Sequence, residues 1–165
     1  MRTLLYRVCA AAVLSLLLTT LGCKVLPPVK DEKAPPRRAV VEVSADQKLA
    51  TEKTLSVDLL GVRELERHPW NVKRVDAYWR RGDKDRTKAE RHEMREFDRR
   101  SAQRLETDDP IWDRWEENGL RYLFVIADIP GVHVDKDRKL VYDLEEVRGK
   151  TIQIRVTDKG LQHVN

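Results

Sequence analysis

Residues 120–129 narrow the fold more than any other stretch of the chain. Tyr122, Leu123, Phe124, Val125, Ile126 and Ala127 follow one another without a charge, and Pro130-Gly131 ends the run. Successive strand residues point to opposite faces. A strand apolar on both faces belongs in the middle of a sheet, with material packed on each side.

Other segments supply its neighbours. In residues 151–157, Ile152, Ile154 and Val156 alternate with Gln153, Arg155 and Thr157, the period of a half-buried strand. Asp158-Lys159-Gly160 fits a hairpin turn, with residues 161–164 as the return strand. Leu55, Val57 and Leu59 alternate with Ser56, Asp58 and Leu60 before Gly61 and the charged run 63–67, giving a first strand. Residues 139–144 make a further candidate. Residues 72–79 read as a strand with Val75, Ala77 and Trp79 on one face, although the same residues also fit one or two helical turns.

Two helices are expected in the middle. Over 87–105, Met94, Phe97 and Leu105 recur at near-helical spacing among Arg and Glu, with Glu96 and Arg100 four apart. Over 110–118 the signals are sharper. Asp109 can cap, Pro110 suits the first helical position, Ile111, Trp112 and Trp115 form an apolar face, and Asn118-Gly119 can end the helix. Strands at both ends with helices between them predict an antiparallel β-sandwich with an inserted helical segment, mainly β. A single-sheet α+β domain is the alternative.

The first part of the chain reads differently. Arg2 and Arg7 are the only charges before Lys24, and an apolar run of about 14 residues lies between Arg7 and Gly22. A membrane span needs about 20 predominantly apolar residues, so residues 1–22 read as a secretory signal. Thr20-Leu21-Gly22-Cys23 resembles the lipobox of bacterial lipoproteins. That resemblance implies cleavage between Gly22 and Cys23, with acyl chains such as palmitate carried on Cys23. It also implies attachment to the periplasmic face of the outer membrane, since Lys24 stands where an Asp favours inner-membrane retention. Pro27, Pro28, Pro35 and Pro36 among charged residues make 23–53 a flexible tether, with a short strand possible at Val40-Val41-Glu42-Val43. The sandwich domain is then expected over 54–165.

Charge excludes little. Without Arg2 and Arg7 the chain keeps 30 basic and 28 acidic residues, a net of +2, so no nucleic-acid partner is expected. Residues 63–104 are locally basic, with Trp70, Tyr78 and Trp79 interleaved. Such a surface can meet acidic groups, but a solvated helix with local ion pairs explains it more simply. Trp79, Trp112 and Trp115 read as core. After Cys23 there is no cysteine, which removes any disulfide or thiolate metal site.

Catalytic constellations are not legible. His92-Glu93 starts like a zinc-protease helix, but Glu96 stands where the second His is needed. Asp135-Lys136-Asp137 lacks the further ligands of a calcium loop. His68, His133 and His163 are scattered, and there is no nucleophile elbow or phosphate-binding loop. No catalytic residue, metal site or cofactor is expected.

The order of the strand at residues 55–61, the segment Asp76-Ala77-Tyr78-Trp79, the strand at 122–127 and the hairpin at 152–164 is similar to that of one family, the outer-membrane lipoprotein of bacterial type VI secretion systems. The resemblance implies a transthyretin-like β-sandwich with inserted helices. It also implies a non-enzymatic role holding a secretion apparatus to the outer membrane through a periplasmic protein partner. No binding residue is carried over. The expectation is a lipid-anchored protein-interaction module; the alternative is a lipoprotein that binds cell wall or a small ligand.

Overall fold

Among the described residues eight strands form two sheets, and the order of each follows from which faces must be buried. In the computed structural model, residues 38–51, 55–97 and 102–164 are described, all within the unit Pro35–Asn165. The first sheet has the order β4 (Ala102–Leu105), β1 (Val40–Ala45), β7 (Thr151–Thr157), β8 (Gly160–Val164). The second has the order β3 (Arg91–Met94), β2 (Ser56–Val62), β5 (Tyr122–Asp128), β6 (Lys139–Asp143). Neighbouring strands are antiparallel except for β1 and β7, which run parallel. The β-sandwich expectation holds, and the single-sheet alternative does not form.

The main core lies between the sheets. Val41 and Val43 of β1 meet Ile152, Ile154 and Val156 of β7 there, opposite Val57 and Leu59 of β2 and Leu123, Val125 and Ala127 of β5. β5 is buried along six of its seven residues, as its two apolar faces require. Its other face, with Tyr122, Phe124 and Ile126, joins Leu60 and Val62 of β2 in a second cluster. Three short helices cover that cluster: α2 (Arg67–Val72), α3 (Val75–Trp79) and α4 (Lys84–Lys88), numbered after α1 (Gln47–Ala50).

Helix α5 (Pro110–Glu117) closes the main core. Asp109 accepts from the Ile111 amide at 2.9 Å and caps it, with Pro110 in the first turn. At its far end the Leu120 amide donates to the Trp115 carbonyl and the Gly119 amide to the Glu116 carbonyl. Gly119 takes φ +80 there, the left-handed stop expected of the sequence. Ile111, Trp112 and Trp115 point inward, and the two indoles meet edge to face at 5.2 Å. Helix α6 (Leu144–Val147) follows β6 directly.

Three expectations are corrected. Residues 87–105 do not form one helix: they carry the end of α4, β3 and β4. Met94 is buried in β3 against Val57, and Leu105 is buried in β4 against Val41. Arg91 and Glu93 share the other face of β3 and pair with each other, so charges that suit a helix serve a strand instead. Glu96, at φ +61, interrupts any helical path. Residues 72–79 form no strand: Val72 ends α2 and Val75–Trp79 is α3, with Lys73 and Arg74 extended between them, close to the second option for that segment. Finally, the domain does not start at 54. β1 lies inside what reads as tether and forms a central strand of the first sheet. Four valines and alanines in a charged, proline-flanked stretch give a weak signal on their own; pairing on both sides supplies the rest.

Candidate functional site

The helical cap over the second sheet is fastened by charges that the strands present to it. Alternation along β2 places Asp58 on the same face as Leu60 and Val62, under the cap, where it is fully buried. Tyr78 donates its hydroxyl to Asp58 Oδ2 at 2.7 Å, and Arg86 Nε donates to the same oxygen at 2.9 Å. Arg91 approaches it at 3.5 Å. The Arg86 guanidinium lies 4.4 Å over the Trp79 ring. Burial, together with the Asp58 charge, pushes the Tyr78 hydroxyl well above the usual tyrosine range, so it stays a donor.

Three more fastenings hold the cap. Arg138, buried just before β6, pairs with Asp76 of α3, and its hydrogen bond holds the Asp76 carboxyl below the usual range. The Val75 amide donates to Asp135 Oδ1 at 3.1 Å. Lys139 of β6 donates to the carbonyls of Trp70, Asn71 and Lys73 at 2.9, 3.0 and 2.6 Å. An ammonium at the last carbonyls of a helix is the favourable arrangement for the α2 dipole. Burial lowers the Lys139 ammonium from the usual lysine range.

Beside the cap runs a groove of about 540 Å³. It opens because β3 pairs with β2 only as far as Leu60, while β5 follows β2 on to Val62. Gly61 and Val62 form its floor, Pro69 and Trp70 one wall, and Trp115 and Asn118 the other. The Trp115 ring occupies the place a Gly61 side chain would take, 2.4 Å from where a Cβ would stand. The acids along it are engaged. Glu66 pairs with Arg63, Asp85 with Lys73 at 2.6 Å, and Glu90 accepts from Asn118 at 3.2 Å. A second depression of about 490 Å³ shares Ala89 and Glu90 with this groove. The groove therefore offers an apolar and aromatic lining in which two of the three acids, Glu66 and Asp85, are paired with cations, suited to holding a segment rather than to moving protons.

The residues singled out from sequence fall in different places. Gly22 and Cys23 lie outside the described residues. His92 sits on β3, 3.8 Å from Asp109, so the zinc-protease pattern lacks even its helix. Asp135 and Asp137 belong to a single helical turn, where Asp135 serves Val75 and Arg138. Trp112 and Trp115 are core as expected, while Trp79 is partly buried beneath Arg86. Among the described residues no cluster of three or more His, Cys, Asp or Glu can hold a metal. Asp58 escaped the sequence reading; Leu60 and Val62 at its parity were the signal that its face is covered too. Among the described residues no helix is long and apolar enough to cross a membrane.

No family model matches the chain, and no curated protein matches it. Solved structures do. One is described as "T6SS protein TssM C-terminal domain (869-1107) from EAEC"; it aligns over 77% of this chain and 100% of its own, at 9% identity and a TM-score of 0.53. Another, described as "Type VI membrane complex", aligns over 77% of this chain and 97% of its own, at 11% identity and a TM-score of 0.54. A looser one, the "T6SS lipoprotein TssJ1 from Pseudomonas aeruginosa", gives 17% identity over 79% of this chain and 96% of its own, with a TM-score of 0.46, and nothing rests on it. At such identities the likeness concerns architecture: this chain has a fold also found in structures of type VI secretion membrane components.

Proposed function

We propose that this protein is a non-enzymatic lipoprotein, anchored through Cys23 to the periplasmic face of the outer membrane, that serves as a protein-interaction component of a type VI secretion membrane assembly. The observation that carries the reading is the two-sheet architecture, which spans nearly the whole of two solved type VI chains. The lipobox ending in Gly22-Cys23 supports the anchor. The groove beside β2 supports a partner site. Its floor is a strand that has no β3 partner beyond Leu60, where an extended segment can add backbone hydrogen bonds while Trp70 and Pro69 take side chains.

Affinity capture after cross-linking in the native host tests this. The account expects one stoichiometric envelope protein that disappears with Trp70→Ala. Recovery of the chain alone from a host with an assembled type VI system contradicts it. The groove's volume also suits a small ligand, which keeps the wall- or ligand-binding reading in view. Sedimentation with purified peptidoglycan separates the two, because a protein partner site leaves the chain in the supernatant.

A further inference from the structure

The outer surface of the helical cap has a composition that its fastenings do not explain. A helical turn at Glu64–Glu66 runs directly into α2. Leu65 and Val72 are seven apart, two helical turns, and so lie on one side of this stretch. Leu65 is 91% exposed and Val72 63% exposed, and neither lines the groove or the second depression. Folding gains nothing from them in these positions.

The charges around them are unbalanced in one direction. Between residues 63 and 88 the acids are engaged. Glu64 accepts from Tyr122 and Glu66 pairs with Arg63. Asp76 pairs with Arg138, and Asp83 and Asp85 both pair with Lys73. Several of the cations are not. Arg80, Arg81, Lys84 and Lys88 are exposed and make no ion pair among the described residues, and Arg74 reaches Asp76 only at 3.7 Å. Glu64 meets only the Tyr122 hydroxyl and Lys73 is shared by Asp83 and Asp85, so two carboxylates of this stretch lack a cation of their own, against four exposed cations that make no ion pair among the described residues.

We infer that this side of the cap is a second membrane contact, which lays Leu65 and Val72 into the interface of an anionic bilayer while Arg74, Arg80, Arg81 and Lys84 meet lipid phosphates. Aliphatic tips with a cationic fringe are the pattern of interfacial binding. The groove, which neither Leu65 nor Val72 lines, is the site proposed for a protein partner. The physiological setting rests on the anchor proposed above. From Cys23 to Arg38 even a fully extended chain covers no more than about 50 Å, so an anchored domain meets the surface at high effective concentration. Such contact would set how the groove is presented to a partner.

The test does not depend on the anchor. Among the described residues every core residue lies between Ala39 and Leu161, so the chain from Lys24 onward, without lipid, retains both sheets. It is sedimented with vesicles of phosphatidylcholine alone and with vesicles that also contain phosphatidylglycerol, at low and high salt. Binding to the anionic vesicles, weakened by salt, is expected. Each cation reversed should weaken it by about fivefold or more, and the triple variant Arg80→Glu, Arg81→Glu, Lys84→Glu by at least about a hundredfold. Leu65→Ser with Val72→Ser should weaken binding that remains at high salt. These side chains are exposed, and an unchanged melting temperature verifies that each variant is folded. Equal or absent sedimentation with both vesicle types overturns the inference, as does undiminished binding by the triple variant. Loss of the captured protein partner in the triple variant, with no vesicle binding by the parent, would assign the surface to a protein instead. A failed anchor is seen separately, in the mass of the residue at Cys23.

Discussion

Asp58 is a carboxylate buried beneath an apolar cap, and what tolerates it is the set of donors that converge on it: Tyr78, Arg86 and Arg91. Removing one partner of a buried ion pair strands the others. Asp58→Ala should therefore destabilise the domain by roughly 3 kcal/mol, toward the low end for such pairs because the Arg86 side chain keeps some solvent contact. Tyr78→Phe should cost about 1 kcal/mol, the value of one hydrogen bond. Urea denaturation of both variants reads the difference, and a cost at Asp58 no larger than at Tyr78 would contradict the network. Gly61 makes a separate point. Its missing side chain admits the Trp115 ring, so Gly61→Ala should cost about 1–3 kcal/mol by overpacking. A neutral outcome by the same measurement would mean that α5 sits farther from β2.

At the scale of elements, the cap is the part most exposed to acid. Two of its carboxylates are held low: Asp76 by the Arg138 hydrogen bond, and Asp83 by Lys73 in spite of the opposing effect of burial. Glu93 on β3 is held low by Arg91, again against burial. A depressed folded pKa stabilises above the unfolded value, about 4 for a carboxylate, and that stability is lost as pH falls through the folded value. The melting temperature should decline below about pH 4. Lys73→Met should be less stable at neutral pH and lose less on acidification, because Asp83 then has burial acting on it without its cation. Parallel pH profiles for the two proteins would contradict this. The elements also show what periodicity can and cannot deliver. β5, β7 with β8, and α5 with both its caps were legible because each is specified locally, by apolar alternation, a turn or a cap. β3 and β4 were not. Their four residues each carry too few apolar side chains to set a period, and their strand geometry comes from β2 and β1 alongside. The groove was equally hidden, since it arises from where β3 stops.

For the molecule as a whole, the correction that matters most is the position of β1. It pairs with β4 on one side and β7 on the other, so the first sheet cannot form without it. A chain that starts at Thr54 should lack a cooperative thermal transition by circular dichroism, whereas one that starts at Lys33 should show it. A folded product from Thr54 would restore the tether reading of residues 40–53. Composition foresaw a domain held by its core without disulfides, and the two-layer packing follows from the strands that could be read. The central claim is that this domain works from a lipid anchor at Cys23, and intact mass of the membrane-extracted protein, beside a Cys23→Ser variant, tests it most directly. The account predicts a chain that begins at acylated Cys23 and fractionates with the outer membrane, with the variant released or left unprocessed. A wild-type chain that begins elsewhere without lipid, or that stays soluble, would contradict it.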